Sequence, residues 1–229
     1  MHENHRARVK SRFENQTLDG FEEHQVLEMM LFYAIPRKDT NEIAHRLIDR
    51  FGSFPRVMDA PIEEIEKIEG IGHESALLIK FIRDTYRYYN ICKAKSIKQV
   101  KSIQECVEYF KAYLHGRKNE EVYLLCLDGK CRVLNCVKVD EGDFCSVRVS
   151  TRKIVNIAIA ENATSVMIAH NHPGGFSYPS GEDQNATYEI ARMLKSSGVY
   201  LTDHIVISDE ECVSFLQSGL YSPEKTGLF

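Results

Sequence analysis

The stretch His170-Asn171-His172-Pro173-Gly174-Gly175-Phe176-Ser177-Tyr178-Pro179-Ser180-Gly181-Glu182-Asp183 decides the reading of this chain. It follows Ser165-Val166-Met167-Ile168-Ala169, a β-branched apolar run that predicts a buried strand. Residues i and i+2 of a strand share a face, and Pro173 drives His172 towards extended backbone. Both imidazoles should therefore project together at the strand end. The Gly/Pro loop then turns the chain back into a helix predicted over 182–194, with Ala186, Ile190, Ala191 and Leu194 on its apolar side. Asp183 falls in the first turn of that helix. Two neutral imidazoles and one carboxylate, with a fourth position left for water, make the donor set of a catalytic zinc site rather than a closed structural one. Ser180-x-x-Asp183 is also close to a capping box, so a purely structural role for that pair stays open.

Composition bounds the function classes. A chain of 229 residues holds one large domain or two small ones. Hydrophobic content of 43% and charged content of 27% are those of an ordinary globular protein. No apolar run reaches the roughly 18 residues of a membrane span. The opening Met1-His2-Glu3-Asn4-His5-Arg6 lacks the apolar core of a signal peptide. A cytoplasmic protein without membrane contact is the expectation. The seven cysteines form no Cys-x-x-Cys pair, and Cys126, Cys131, Cys136 and Cys145 lie in or near strand-like runs. They read as small buried apolar side chains in a reducing compartment. Net charge is −4, and residues 1–100 balance sixteen Lys/Arg against sixteen Asp/Glu, so the global basic signal of a strong nucleic-acid binder is missing.

The first half of the chain reads as helical. Arg6, Arg8, Lys10 and Arg12 mark a short basic helix or a solvated arm. Phe21, Val26, Leu27, Met30 and Leu31 have helical spacing, and Pro36 ends that element. Asp39 or Thr40 can cap a helix running to about Arg50, closed by Gly52. Residues 62–90 have the pattern of a helix-hairpin-helix, with Ile62, Ile65 and Ile68, the turn Gly70-Ile71-Gly72, then Ala76 to Tyr89. Such a module holds a phosphate at the start of its second helix, which would give weak, non-specific DNA binding. Glu63, Glu64, Glu66, Glu69 and Glu74 oppose that, since acid near a phosphate repels it. The lysine-punctuated segment 91–101 reads as a linker, which divides the chain into 1–98 and 99–229.

The second half alternates strands with helices. A helix is predicted over 102–114. Strands are predicted at 122–127 and 131–139, joined at Asp128-Gly129, and a further one at Ser146-Val147-Arg148-Val149. A helix over 151–161 leads to the strand before His170. Residues 200–207 and 212–215 add strands after the motif helix. The class is α/β in the broad sense, close to α+β: a small helical domain, then helices intermixed with a mostly antiparallel-looking meander.

His170-x-His172-Pro173-x6-Ser180-x-x-Asp183 resembles the JAMM (MPN+) metalloprotease motif. The wording His170-Asn171-His172-Pro173, the later Asp203-His204-Ile205-Val206-Ile207 and the earlier Asp39-Thr40-Asn41 resemble the RadC (UPF0758) family of bacterial JAMM-domain proteins, over about residues 6–219. The resemblance implies a JAMM-type mixed sheet with flanking helices, one Zn2+ held by His170, His172 and Asp183, and hydrolysis of a peptide or isopeptide bond in a peptide or protein substrate. It also implies a general base on an upstream strand. The family's spacing to Asp128 assigns that base to Glu120, with Glu121 as the alternative. Ser180 would stabilise the oxyanion. His204 reads as a structural histidine beside the site. The family's historical association with DNA repair implies the rival reading, a DNA accessory protein acting through the hairpin. Other zinc classes are excluded by the residues themselves. A metallo-β-lactamase motif needs Asp where position 174 is Gly, and a nucleobase deaminase needs His-x-Glu with Pro-Cys-x-x-Cys. An amidohydrolase barrel carries its His-x-His near the start of a longer chain.

Overall fold

The structure, a computed structural model, describes residues 2–141, 147–175, 177–208 and 211–223, with 2–4 and 147–150 described by backbone alone. It divides into two compact units, Met1–Tyr88 and Tyr89–Phe229. The first is helical: α1 (His2–Gln16), α2 (Glu23–Ala34), α3 (Asn41–Phe51), α4 (Phe54–Asp59), α5 (Ile62–Ile65) and most of α6 (His73–Lys95). Leu27, Leu31, Ile43, Leu47, Val57, Ile65 and Ile79 form its core. The basic N-terminal segment is a helix, and its Arg6 does structural work. The guanidinium donates to the Ile35 carbonyl at 2.6 Å at the end of α2, and sits over the Phe32 ring. Gly52 ends α3 at φ 89°, the left-handed geometry that residue type favours. Sequence reasoning passed over α4, a six-residue helix with proline in its first turn.

The second unit is a five-stranded mixed sheet between two helical layers. After α7 (Ile103–Leu114) come β1 (Glu121–Leu127), β2 (Val133–Glu141), α8 (Val147–Ala160), β3 (Ser165–Asn171), α9 (Gly181–Ser196), β4 (Tyr200–Ile207) and β5 (Cys212–Ser214). The strand order is β2-β1-β3-β4-β5, antiparallel throughout except for the parallel β3–β4 pair that α9 connects. Alternation along β1 separates two cores. Val122, Leu124 and Cys126 face Ile154, Ala158, Ile190 and Leu194 of α8 and α9. Tyr123, Leu125 and Leu127 face Phe110 and Leu114 of α7. Ser102 caps α7, its hydroxyl accepting from the Glu105 N–H.

Three expectations differ from what is observed. Cys92 and Cys131, read with the other cysteines as buried, are exposed. Val147, Arg148 and Val149 are helical, not a strand, because they open α8; Ser146 and Cys145 lie outside the described residues. The lysine-rich stretch expected as linker begins as helix. α6 runs on to Lys95, and its Ile91 and Ala94 pack into the α7-side core of the second unit.

Candidate metal centre

The motif segment spans a strand end, a loop and a helix start. His170 is the penultimate residue of β3, and the ladder continues as the His172 N–H donates to the Ile207 carbonyl at 2.9 Å. This keeps the backbone extended through His172 and both imidazoles on one face. Asp183 sits at the third position of α9, buried, on the stripe that continues through Thr187, Ile190, Ala191 and Leu194. The polar head of that stripe therefore meets the histidines, while its apolar tail enters the core.

The three groups converge. His170 Nε2 and His172 Nε2 are 3.0 Å apart. Asp183 Oδ1 is 3.7 Å from His170 Nε2, and its Oδ2 is 3.8 Å from His172 Nε2. One donor atom from each lies within 4.8 Å of the others. Two imidazole nitrogens and a carboxylate suit a borderline divalent ion such as Zn2+ and leave room for a further ligand. Two imidazole nitrogens and a carboxylate gathered this closely are donor groups that a single cation can share, so the residues present fit a metal.

Ser180 plays the capping role that its spacing predicts. Its hydroxyl accepts from the Asp183 N–H at 3.0 Å, and Asp183 Oδ2 accepts from the Ser180 backbone N–H at 2.7 Å. The hydroxyl also lies 2.7 Å from that same Oδ2. The cap thus orients a carboxylate that faces both histidines.

The adjacent glutamates part company. Glu121 is 4% exposed, on the α7 face of the sheet, with Lys138 Nζ at 3.0 Å and Arg117 Nη1 at 3.2 Å. Its backbone N–H donates to Asn171 Oδ1 at 2.8 Å, and Asn171 Nδ2 donates to the Asn119 carbonyl at 3.0 Å. Asn171, between the two histidines and pointing to the opposite face, thereby fastens the start of β1 to the end of β3. Val122 is the register partner of His170. Glu120, half-buried just before β1, has the parity of Val122 and so of the histidine face.

His204 stands under the site. It is fully buried, its Nε2 2.8 Å from His170 Nδ1 and its Nδ1 2.7 Å from Thr187 Oγ1. Burial first, then electrostatic coupling to the neighbouring His170 and His172 rings, holds its pKa well below the usual imidazole value. Sequence reasoning did not single out Thr187 or Asn171. The signal for Thr187 was available, since it lies four residues after Asp183 on the core-facing stripe.

The hairpin region keeps its acids close. α5 leads through Gly70, at φ 94°, to α6, whose first residue His73 has Nδ1 2.6 Å from Glu66 Oε1. That carboxylate raises the His73 pKa. Glu69 lies 3.5 Å from Arg46 Nη1.

A family model described as RadC-like JAB domain matches residues 100–220. The chain belongs to the RadC family. A UPF0758 protein of Fusobacterium nucleatum is 31% identical over 224 residues, covering 94% of this chain and 96% of that protein. One from Ruegeria pomeroyi is 27% identical over 215 residues, again with 94% and 96% covered. One from Paraburkholderia xenovorans is 29% identical over 195 residues, with 85% and 77% covered. Similarity to RadC relatives thus runs through the helical unit as well as the sheet. Among the described residues no helix is long and apolar enough to cross a membrane.

Proposed function

We propose that this RadC-family chain is a zinc-dependent hydrolase of a peptide or isopeptide bond, acting in the cytoplasm on a peptide or protein substrate. The observation that carries the reading is the convergence of His170, His172 and Asp183 at the mouth of a RadC-like JAB domain. A bound Zn2+ would lower the pKa of a coordinated water and polarise the scissile carbonyl. The chain supplies the rest. Glu120 is the general base, taking a proton and delivering it to the leaving amine. Support for Glu120 over Glu121 comes from the environment of the latter, which is engaged by Lys138 and Arg117 on the far face. Ser180 steadies the oxyanion through its hydroxyl, a role compatible with its cap. Free Cys106 and Cys126, buried among apolar groups, suit a reducing compartment.

The first measurement is metal content. Purified wild type should carry near one zinc per chain, and His172→Ala and Asp183→Ala should carry little. Absence of metal from all three after zinc is added back would overturn the reading. Glu120→Gln should then keep its zinc and lose about 10²-fold or more in cleavage of a peptide library. The rival reading, DNA backbone binding by the hairpin, predicts salt-sensitive retention on DNA that Gly72→Glu abolishes. A Cβ at position 72 meets nothing within 4 Å, and an unchanged thermal transition would show that the variant still folds.

A further inference from the structure

His170 has two ring nitrogens, and they face different partners. Nε2 looks towards His172 and Asp183, whereas Nδ1 lies 2.8 Å from His204 Nε2. A ligating nitrogen needs its lone pair, so in a neutral ring the proton must sit on the other nitrogen. The far end of the contact chain decides where that proton is. Thr187 Oγ1 lies 2.6 Å from the Asp183 carbonyl oxygen. A carbonyl cannot donate, so the hydroxyl gives its single proton there. The same Oγ1 is 2.7 Å from His204 Nδ1 and must accept, which places a proton on that nitrogen. His204 is fully buried and stacked on Phe215 with centroids 4.5 Å apart, where a second proton and its charge are disfavoured. Its Nε2 is therefore bare and accepts from His170 Nδ1–H. His170 is left with a lone pair on Nε2, aimed at the other two groups of the triad.

We infer that His204 and Thr187 are positioning residues that lock His170 in its metal-binding tautomer and thereby set the metal affinity of the centre. The inference rests on the reading of the triad as a metal site. The contact chain starts at the ring of one metal-binding residue, His170 on β3, and ends on the backbone carbonyl of another, Asp183 on α9. It therefore fixes both the orientation of the imidazole and the position of the helix relative to the strand. Hydrogen bonds of this kind behind a histidine ligand change metal affinity by about 10–100-fold.

The test uses full-length protein and zinc alone, titrated in competition with a chromogenic chelator. Thr187→Val and His204→Phe should each weaken zinc binding about 10–100-fold. Thr187→Ser, which restores the hydroxyl, should recover most of the loss. The double variant should be no worse than the weaker single, because both break the same chain. Phe keeps the stack on Phe215; if His204→Phe does not fold, the Val and Ser pair at position 187 carries the test. Ring 15N spectra of the metal-free wild type give a second readout, with His170 expected to be protonated at Nδ1 and bare at Nε2. Wild-type affinity in Thr187→Val, or a proton on Nε2 of His170, would overturn the inference while leaving the triad standing. Failure of the wild type itself to bind zinc would sink the metal reading and this inference together.

Discussion

Glu120 and Glu121 are chemically identical neighbours with opposite fates, because a strand sends successive side chains to opposite faces. Glu121 enters the α7 side, where Lys138 bridges it to Glu141 at 3.0 and 2.8 Å. Its role is to hold the start of β1. Glu121→Gln leaves Lys138 and Arg117 without their buried partner, and should destabilise the protein by about 1–3 kcal/mol in denaturant melts with zinc content unchanged. A loss of zinc at unchanged stability would assign Glu121 to the centre instead. The alternation itself was legible in the sequence. The choice of face was not, since it depends on the pairing of Val122 with His170, set by two strands some fifty residues apart. The cysteines follow the same logic of environment. Burial pushes the thiols of Cys106 and Cys126 up to about 12, while Cys92 and Cys131 are exposed. Only the thiolate attacks an alkylating reagent, and at pH 8 roughly one in ten thousand of the buried thiols is ionised. Cys92 and Cys131 should label within minutes under native conditions, and Cys106 and Cys126 only after unfolding, as peptide mass mapping would show.

At the scale of elements, the centre depends on how α9 begins. Ser180 satisfies one helix N–H and Asp183 satisfies another, so the box that starts the helix also aims the carboxylate. Ser180→Ala should lower stability by about 0.5–2 kcal/mol from loss of the cap alone. Both the box and the strand before it were readable, because their signals are local: a β-branched run, a Gly/Pro loop, then Ser-x-x-Asp. Val147–Val149 misled for an equally local reason. Valine, arginine, valine alternates like a strand, and the evidence for a helix comes later, where Ile154 and Ala158 pack inward four residues apart. Helix α4 has too few residues to show a period. The turn before α6 carries a constraint visible only in three dimensions. Gly70 has φ 94°, and a Cβ there would stand 2.8 Å from Ile43 Cδ1. Gly70→Ala should therefore destabilise the helical unit by about 1–3 kcal/mol, read by its thermal transition, and leave zinc binding by the sheet unit intact.

Each unit of the whole molecule owns a core, and the chain passes from one to the other inside α6. The composition of residues 91–101 suggests a linker, because lysines at 93, 95, 98 and 101 look like solvated chain. They are instead the exposed side of a segment whose apolar residues are structural. Ala94 and Val100 are buried, Ile91 and Ile97 pack against the same cluster, and the Val100 N–H donates to the Cys131 carbonyl at 3.0 Å. The family match from residue 100 covers His170, His172 and Asp183 but omits this apron. Two truncations separate the possibilities. A fragment beginning at residue 89 keeps Ile91, Ala94 and Ile97, and should fold cooperatively and bind zinc as the full chain does. A fragment beginning at 99 exposes the surface those three side chains cover, and the partly buried Ile91 and Ile97 cost at most about 1.5–3 kcal/mol each. That deficit is a large fraction of the stability of a typical domain. The shorter fragment should melt at much lower temperature or aggregate, although it contains every residue of the metal centre. Equal stability of the two fragments would show that the apron is dispensable and that the domain begins where its composition first suggests.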